Sequence, residues 1–442
     1  MNNGSPVAAE LLPWLGPLFS LITLFFALRA GRRHRLVNAL PTSMTTGVFI
    51  GLSEVKGTAE SSAPLTSYLA LRRCLWYQWS IEEHWSRTVT ETYTDSNGRT
   101  RTRTRRESGW TTVDSGGEEI SFYLKDDEGV LQILPGGADV EPVTVFDETC
   151  TPLNPLYYGK GPALGVPNSD FRRRFSERAI PLHATLYVMG QARERSDVVA
   201  AEIAADDAAP MFLISTRSEE QVSSSLRWKF WGLSILGMIL TFAGFLIRDL
   251  ANELPPERNL ILYLAAAAIY VFIAFISWAI MVFNSLVDLR QRVNQGWSQV
   301  DVQLKRRHDL INNLVAAVTG LRDHESNLQT ELASLRSQLG ATAPGVAGAD
   351  FHGVRPTLIA IAERYPDLKA QESFSLLQDN LIDTEQRIAL ARGYFNEIAS
   401  HYNARLEIVP DRFLAQLARL QPRPLLAAAD FERAAVEVNF AD

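Results

Sequence analysis

Three windows of the chain are almost wholly apolar, and the stretches between them mix polar and apolar residues in ordinary proportion. The windows run from about Leu11 to Leu28, from Phe230 to Ile247 and from Leu260 to Phe283. Each is close to the roughly 20 residues that a helix needs to cross about 30 Å of hydrocarbon, and none has a charge at its centre. The pattern therefore predicts three transmembrane helices.

Basic residues flank these windows asymmetrically. Arg29, Arg32, Arg33 and Arg35 follow the first window, whereas a signal peptide carries its basic residues before the apolar stretch. Basic residues also precede the second window and follow the third. Since basic flanks stay in the cytoplasm, we expect a multi-pass protein of the cell membrane, the inner membrane of a bacterium, with its N-terminus outside and both soluble regions in the cytoplasm.

The soluble region before the second window alternates in a way typical of β-strands. Residues Trp85 to Trp110 predict a hairpin that turns at Asp95–Gly98. Further strands are predicted at Ile120–Leu124, Val130–Leu134, Leu182–Gly190 and Pro210–Ser215, and a short basic helix at Phe171–Arg178. The acidic run Asp126–Gly129 between two of these strands lacks the spaced ligands of a calcium loop, and a hairpin turn is the preferred interpretation.

An arginine run follows the hairpin turn: Arg99, Arg101, Arg103, Arg105 and Arg106. Period two places the first four on one face of a strand. Two interpretations stay open. The arginines form a phosphate-binding stripe, in its best version for anionic lipid, or they pair across the strands with acids such as Glu83 and Glu91. Cross-strand pairing is the preferred interpretation.

This region resembles the GIDE domain of the mitochondrial membrane-anchored ubiquitin ligases, also called the beside-a-membrane domain. The matching pieces are Glu54–Gly57, Cys74–Trp76, Phe122–Gly129, Ile180–Gly190 and Phe212–Ser215 followed by Ser218–Glu220. In that family the domain lies between two membrane helices, as it does here, and ubiquitin transfer belongs to a separate RING finger. A RING needs about eight Cys and His ligands, which two cysteines and seven scattered histidines cannot supply. We therefore do not expect ligase activity.

The region after the third window shows apolar residues at spacings of three, four and seven, from Leu286 to Leu339. This pattern predicts one helix of about 50 residues that continues directly from the third membrane helix. The pattern then predicts a loop at Gly340–Pro356, a short helix ending at Tyr365 and a second long helix over Phe374–Tyr402. A last helix over Arg412–Asn439, interrupted by Pro422 and Pro424, should follow. Trp297 lies on the apolar stripe and should pack in the core.

This half resembles the LemA family. The motifs that carry the resemblance include Val300–Asp301, Leu304–Arg307, Asp309–Ile311, Tyr365–Ala370, Tyr394–Asn396 and Tyr402–Asn403. The resemblance implies a membrane helix followed by a bundle of long antiparallel helices. It also implies that the biochemical activity is not established and that members often occur with membrane-associated proteases.

The net charge, the cysteines and the spacing of the histidines limit the ligands and bonds that the chain is expected to form. The formal net charge of −7 argues against nucleic-acid binding. Cys74 and Cys150 could pair only in an oxidising compartment, and in the cytoplasm they should stay reduced. In the bundle, His324 and Glu325 are adjacent and point about 100° apart on a helix, so a di-iron site is not expected. Lys305–Arg307 is interpreted as a solvated helix face.

These observations predict a multi-domain membrane protein. Its parts are an N-terminal tail with the first transmembrane helix (1–30), a β-rich, GIDE-like α+β domain (31–228), two transmembrane helices (229–283) and an all-α, LemA-like bundle (284–442).

No nucleophile, phosphate loop or dinucleotide motif is present, so we expect no catalytic, cofactor-binding or metal-binding residue and no cofactor. The expected function is a non-catalytic scaffold or regulatory adaptor. Its expected partners are the lipid bilayer, a protein on the bundle (a membrane protease, by the family association) and a second copy in a homo-oligomer. An enzyme with a dispersed site in the β-rich domain and a membrane-remodelling oligomer are the alternatives.

Overall fold

The computed structural model describes residues 6–48, 50–94, 99–195, 200–207, 209–251, 259–321 and 372–426. The chain forms two compact units. One is Thr42–Gln221, here called the β-rich unit. The other joins Met1–Pro41 to Val222–Asp442 and is called the helical unit.

The described residues form six α-helices: α1 (Pro6–Val37), α2 (Leu156–Gly159), α3 (Glu219–Ala251), α4 (Leu260–Leu321), α5 (Glu372–Glu407) and α6 (Asp411–Leu417). The short α2 lies in the β-rich unit, and the long helices form the helical unit. Three helical segments are long and apolar enough to cross a bilayer: Leu15–Val37, Glu219–Asp249 and Leu260–Ile311. All three apolar windows therefore lie in long helices, as predicted.

Helix α1 packs closely against helix α3. A Cβ atom added at Gly16 would lie 2.7 Å from the Cα atom of Gly244. The two backbones can approach this closely because neither residue has a side chain, which is how small residues bring membrane helices together. Pro13 and Pro17 lie inside α1 without ending it.

Helix α4 is continuous over 62 residues, from Leu260 to Leu321. It contains the whole third apolar window and the beginning of the bundle without a break, because no proline interrupts it. The predicted junction between membrane helix and bundle helix is confirmed over these residues. The predicted extension of this helix from 322 to 339, the loop at 340–356 and the short helix ending at Tyr365 lie outside the described residues.

The strands belong to the β-rich unit. They are β1 (Thr42–Ser43), β2 (Gly51–Glu60), β3 (Leu65–Thr66), β4 (Arg73–Thr94), β5 (Thr100–Glu119), β6 (Phe122–Lys125), β7 (Val130–Ile133), β8 (Asp139–Glu141), β9 (Val143–Cys150), β10 (Ser169–Pro181), β11 (Thr185–Glu194), β12 (Ala201–Ala204) and β13 (Leu213–Ser215). The predicted hairpin and the four other predicted strands are all present, with shifted ends. The hairpin turn itself, residues 95–98, lies outside the described residues.

The first sheet closes on itself. Its strand order is β1-β2-β6-β7-β12-β11-β13-β8, and β11 also pairs with β2. Five of these strands, β2, β6, β7, β12 and β11, therefore form a closed ring. Alternate side chains point inward and fill it with buried residues such as Val55, Phe122, Leu131, Val188 and Ile203. Closure removes the unpaired edges that an open sheet would expose.

The second sheet has the order β3-β4-β10-β9, with β5 paired to β4. Strand β10 accompanies β4 only as far as the pair Ser169–Trp85. Beyond that pair, β4 and β5 continue together to Thr94 and Thr100 as a two-stranded ribbon, here called the arm. Nine residues of each strand give the arm a length of about 30 Å.

Two predicted helices are wrong in whole or in part. The segment Phe171–Arg178, predicted as a basic helix, lies in strand β10. Its side chains at 173, 175 and 177 are buried in alternation, a period of two that the run of arginines concealed. The last predicted helix, Arg412–Asn439 with an interruption at its two prolines, already ends at Leu417, and residues 418–426 are not helical. Pro422 and Pro424 in this segment cannot donate helical hydrogen bonds. Residues 427–439 of this prediction lie outside the described residues.

Candidate functional site

The junction between α4 and α5 is an apolar seam within the helical unit. Trp297 of α4 meets Phe395 of α5 edge to face, with ring centroids 5.3 Å apart. Most described residues of the two predicted stripes are buried: Leu286, Leu289, Val293, Val300 and Ile311 on α4 with Leu381, Ile388, Ala391, Ile398 and Tyr402 on α5. Three others, Trp297, Leu304 and Leu377, are half-buried. Trp297, predicted to pack in the core, does contact Phe395 but stays half-buried. The seam therefore packs α4 against α5 just after its membrane segment.

A buried carboxylate ties the end of α1 to the C-terminal helices. The Arg35 guanidinium donates to both oxygens of Asp411, the first residue of α6, at 2.9 and 3.0 Å. Arg405 of α5 donates to the same carboxylate at 3.3 Å. Burial lowers the pKa of Arg405 and neighbouring Arg35 adds to this, while Asp411 opposes it. Asp411 therefore neutralises two cations that the fold brings together.

Two asparagines of α5 bind the backbone of the segment that follows α6. Asn403 donates to the carbonyl of Arg423 and accepts from its N–H, both at 2.8 Å. Asn396, two helical turns earlier, makes the same pair of hydrogen bonds with Leu426, at 3.0 and 2.8 Å. Both asparagines belong to the motifs that resemble the LemA family. Here they hold an extended segment of the chain itself along α5.

One basic residue of α4 departs from its predicted environment. Lys305 and His308 are exposed, as a solvated face requires, but Arg307 is only 4% exposed. The interpretation of Lys305–Arg307 as a wholly solvated face is therefore wrong at Arg307. The residue lies on the buried side of the helix because it is seven residues, about two turns, after the buried Val300.

The β-rich unit contains a buried acid beside a groove. Glu54 of β2 is fully buried and accepts hydrogen bonds from Tyr187 and from Thr42, both at 2.8 Å. Lys56 approaches it to 3.6 Å and binds Glu219, in the first turn of α3, at 2.8 Å. Burial raises the pKa of Glu54 to about 7, although the two hydrogen bonds oppose the shift.

The groove beside this cluster has a volume of about 540 Å³ and is lined by Lys56, Tyr187 and residues 216–221. Glu54, Lys56, Tyr187 and Glu219 all belong to the pieces that carry the GIDE resemblance. The carboxylate of Glu54 is saturated by neighbours of its own fold, so it joins β1, β2 and β11 and does not reach the groove. Sequence reasoning did not single out this cluster.

A second buried pair organises the other sheet. Arg173 of β10 is fully buried and donates to Glu83 of β4 at 3.0 and 3.1 Å. Its Nη1 donates to the carbonyls of Tyr157 at 2.9 Å and Pro162 at 2.7 Å, and Nη2, which also binds Glu83, donates to the carbonyl of Leu164 at 3.3 Å. The guanidinium therefore fastens the loop between β9 and β10. Glu83, proposed as a partner of the arginine run, instead binds this buried arginine.

The arm has two chemically distinct faces. In register across it, Arg101 lies opposite Tyr93, Arg103 opposite Glu91 and Arg105 opposite Val89. The opposite face is a ladder of threonines, in which Thr90, Thr92 and Thr94 oppose Thr104, Thr102 and Thr100. The predicted alternation of the arginines is confirmed, and Glu91 lies opposite one of them. The arginines are exposed.

The two cysteines and the acidic turn at Asp126–Gly129 belong to the folded framework of the β-rich unit. Cys74 and Cys150 are free thiols and both are buried, and burial raises the pKa of Cys74 to about 11. Asp126, in the acidic turn, accepts from the N–H and hydroxyl of Thr45 and from the N–H groups of Glu128 and Gly129. Its oxygens are thus used to close the hairpin, which supports the interpretation as a turn.

Two family models match the chain. Residues 90–246 match the GIDE model, described as an E3 ubiquitin ligase, and residues 296–440 match the LemA family model. The two models occur in the order that the motifs indicated.

Several curated proteins are similar over about a third of the chain. The magnetosome protein MamQ of Magnetospirillum gryphiswaldense is 26% identical over 190 residues, which cover 36% of this chain and 70% of the relative. MamQ 2 of Paramagnetospirillum magneticum is 28% identical over 173 residues, 32% of this chain and 64% of the relative. Protein LemA of Metamycoplasma hominis is 22% identical over 161 residues, 35% of this chain and 74% of the relative. The chain therefore contains a region that matches the GIDE model, followed by a region that matches the LemA family model, together with three helices long and apolar enough to cross a membrane.

Proposed function

We propose that this protein is a non-catalytic, membrane-anchored scaffold or adaptor, in which the LemA bundle presents a helical surface to a protein partner. The observation that carries the proposal is the continuity of α4 from the apolar window through the Trp297–Phe395 seam. A rod without a hinge transmits tilt or rotation between bilayer and bundle. The similar proteins support this interpretation only in that their names, magnetosome protein and protein LemA, state no reaction.

Site-specific photo-crosslinking in native membranes tests the proposal. Crosslinking amino acids at Val302 on α4 and Leu376 on α5, both more than half exposed, should capture a discrete protein. Gln291→Pro, inside the junction, should abolish the crosslink, because proline removes a helical hydrogen bond and kinks the rod. Gln291→Ala is the matched control and should leave the crosslink intact. A crosslink that survives Gln291→Pro would show that the bundle is merely tethered to the membrane.

The identity of the captured protein decides between the partners considered. A membrane protease would support the association known for the LemA family. A crosslink between two copies of this chain would favour the homo-oligomer, and bilayer deformation on reconstitution would then favour the remodelling alternative. Turnover of a substrate by purified protein, lost on substitution of Lys56 in the groove, would favour the enzyme alternative.

We further propose that the N-terminus lies outside and that both soluble parts face the cytoplasm, because every basic flank agrees with this topology. Cys74 and Cys150 are buried and unsuitable for labelling, but Leu153 is 96% exposed. In a Cys74→Ala/Cys150→Ala background, Leu153→Cys should react with an impermeant maleimide only after the cells are opened. Labelling in intact cells would reverse the topology.

A further inference from the structure

A groove of about 610 Å³ lies between α1 and α4, at the end of their apolar segments. Its apolar wall is formed by side chains such as Phe25, Leu28, Ile280 and Phe283. Its polar rim carries Arg29 and Arg32 from α1 and Arg292 from α4. The groove is therefore amphiphilic, with an apolar lower part and a basic rim, and the scaffold role proposed above does not use it.

The charges at the rim do not cancel. Arg29 and Arg32 are three residues apart and thus lie on one face of α1. Both are exposed, and within the described part of the chain no carboxylate lies within 4 Å of either guanidinium. Asp288 is the acid that lines the groove, one turn before Arg292 on α4. Three guanidinium groups against one carboxylate leave a net charge of about +2 that attracts an anion.

The apolar wall selects among anions. Phe25 is 61% exposed, Ile280 56% and Phe283 40%, although all three lie in or beside the apolar windows. Such side chains are in contact with hydrocarbon when the helices are in a bilayer. An anion that binds at the rim and fills the wall must have an acidic head joined to apolar chains. Basic pockets between membrane helices, at the cytoplasmic side, bind phospholipid headgroups in this way.

We propose that this groove binds an anionic phospholipid. The phosphate would lie between Arg29, Arg32 and Arg292, an acyl chain would follow Phe25 and Ile280 into the bilayer, and Asn284 and Ser285 at the rim would donate hydrogen bonds to the headgroup. Guanidinium groups are suited to this task because they bind phosphate oxygens bidentately. A lipid in this position would bridge α1 and α4 where the seam begins, since Leu289 lines the groove and also belongs to the seam.

Native mass spectrometry of the full-length protein in detergent tests the proposal, with phosphatidylglycerol, phosphatidylcholine or inorganic phosphate added. Phosphatidylglycerol should bind about tenfold more tightly than zwitterionic phosphatidylcholine. Inorganic phosphate should neither bind stably nor displace the lipid. Equal binding of the two lipids would overturn the proposal, and displacement by phosphate would overturn the lipid as the source of the anion.

Matched variants localise the site. Arg29→Gln with Arg32→Gln should weaken phosphatidylglycerol binding about tenfold or more. Arg227→Gln with Lys229→Gln removes two basic residues of α3 that do not line the groove, and it should leave binding unchanged. Because the first pair also helps to set topology, a second comparison uses α4 alone: Arg292→Gln should weaken binding about fivefold, and Arg290→Gln, outside the groove, should not. Equal losses in variant and control would show that only bulk charge matters, and the site would be rejected.

Discussion

Arg35 and Asp411 are separated by 376 positions in the sequence, yet the guanidinium of one donates to both carboxylate oxygens of the other. The pair is almost removed from solvent, with side-chain exposures of 12% and 2%. It joins the end of the first membrane helix to α6, which follows the last long helix of the bundle. This ion pair therefore links the end of α1 to the beginning of α6 within the helical unit.

The first prediction concerns this pair. Asp411→Asn should lower the free energy of unfolding of the helical unit by about 3 kcal/mol, because Arg35 and Arg405 lose their counter-charge in a buried place. The measurement is denaturant unfolding of the full chain in detergent. Asp383→Asn is the control, since its pair with Arg387 is exposed and should contribute less than about 1 kcal/mol. A loss at Asp411 no greater than that at Asp383 would show that the bridge does not join the helices in solution.

The second prediction concerns the asparagines of α5. Asn396→Ala together with Asn403→Ala removes four hydrogen bonds to the segment around Arg423 and Leu426. At about 1 kcal/mol for each hydrogen bond, amide hydrogen exchange at Arg423 and Leu426 should accelerate by at least about tenfold.

Ser400→Ala, at an exposed position of the same helix, serves as the control and should leave exchange unchanged. Unchanged exchange in the double variant would mean that packing alone holds the segment, and the role given to the asparagines would be rejected.

The third prediction is a pH dependence of the β-rich unit. Glu54 has a pKa of about 7 in the folded protein, raised by burial from the ordinary value of 4.5. Between these pH values the folded protein retains a proton that the unfolded chain releases. The stability that protonated Glu54 contributes is therefore fully present below pH 4.5 and is lost as the pH rises towards 7. Above pH 7 the free energy of unfolding no longer changes through this group. The loss amounts to at most about 3 kcal/mol.

Glu54→Gln keeps the shape of the side chain but cannot ionise, so it should remove the pH dependence of the free energy of unfolding. Unfolding of the full chain is compared at pH 5 and pH 8, with limited proteolysis of the β-rich unit as the readout. Glu91→Gln, on the exposed arm, should behave as the wild type does. If the pH dependence persists in Glu54→Gln, another titratable group causes it.

The sequence was informative where the structural signal is local. The membrane windows, the α4 stripe that contains Leu286 and Val293, and the β4–β5 hairpin each repeat with the period of their own element, and all are present as predicted. Period and hydrophobicity are properties of a single segment, so no knowledge of its neighbours was needed.

The buried charged residues were not predicted, because their partners are distant in sequence. Arg173 lies in a run of three arginines that suggested an exposed helix, but its environment depends on Glu83, 90 positions earlier, and on the carbonyls of the loop before β10. One local signal was available. The alternation of Arg173, Phe175 and Glu177 has a period of two, which favours a strand over a helix. Nothing local distinguished Glu54 from an exposed acid.

The continuity of α4 is the central claim, and a distance between two spin labels tests it most directly. Ile276, in the apolar window, and Ser298, beside Trp297, are both exposed and 22 residues apart. Labels attached to Ile276→Cys and Ser298→Cys, in a Cys74→Ala/Cys150→Ala background, span the junction. A straight helix predicts one narrow distance distribution near 33 Å, which Gln291→Ala preserves and Gln291→Pro shortens or broadens. A broad or shorter distribution in the unsubstituted junction would contradict the continuous rod.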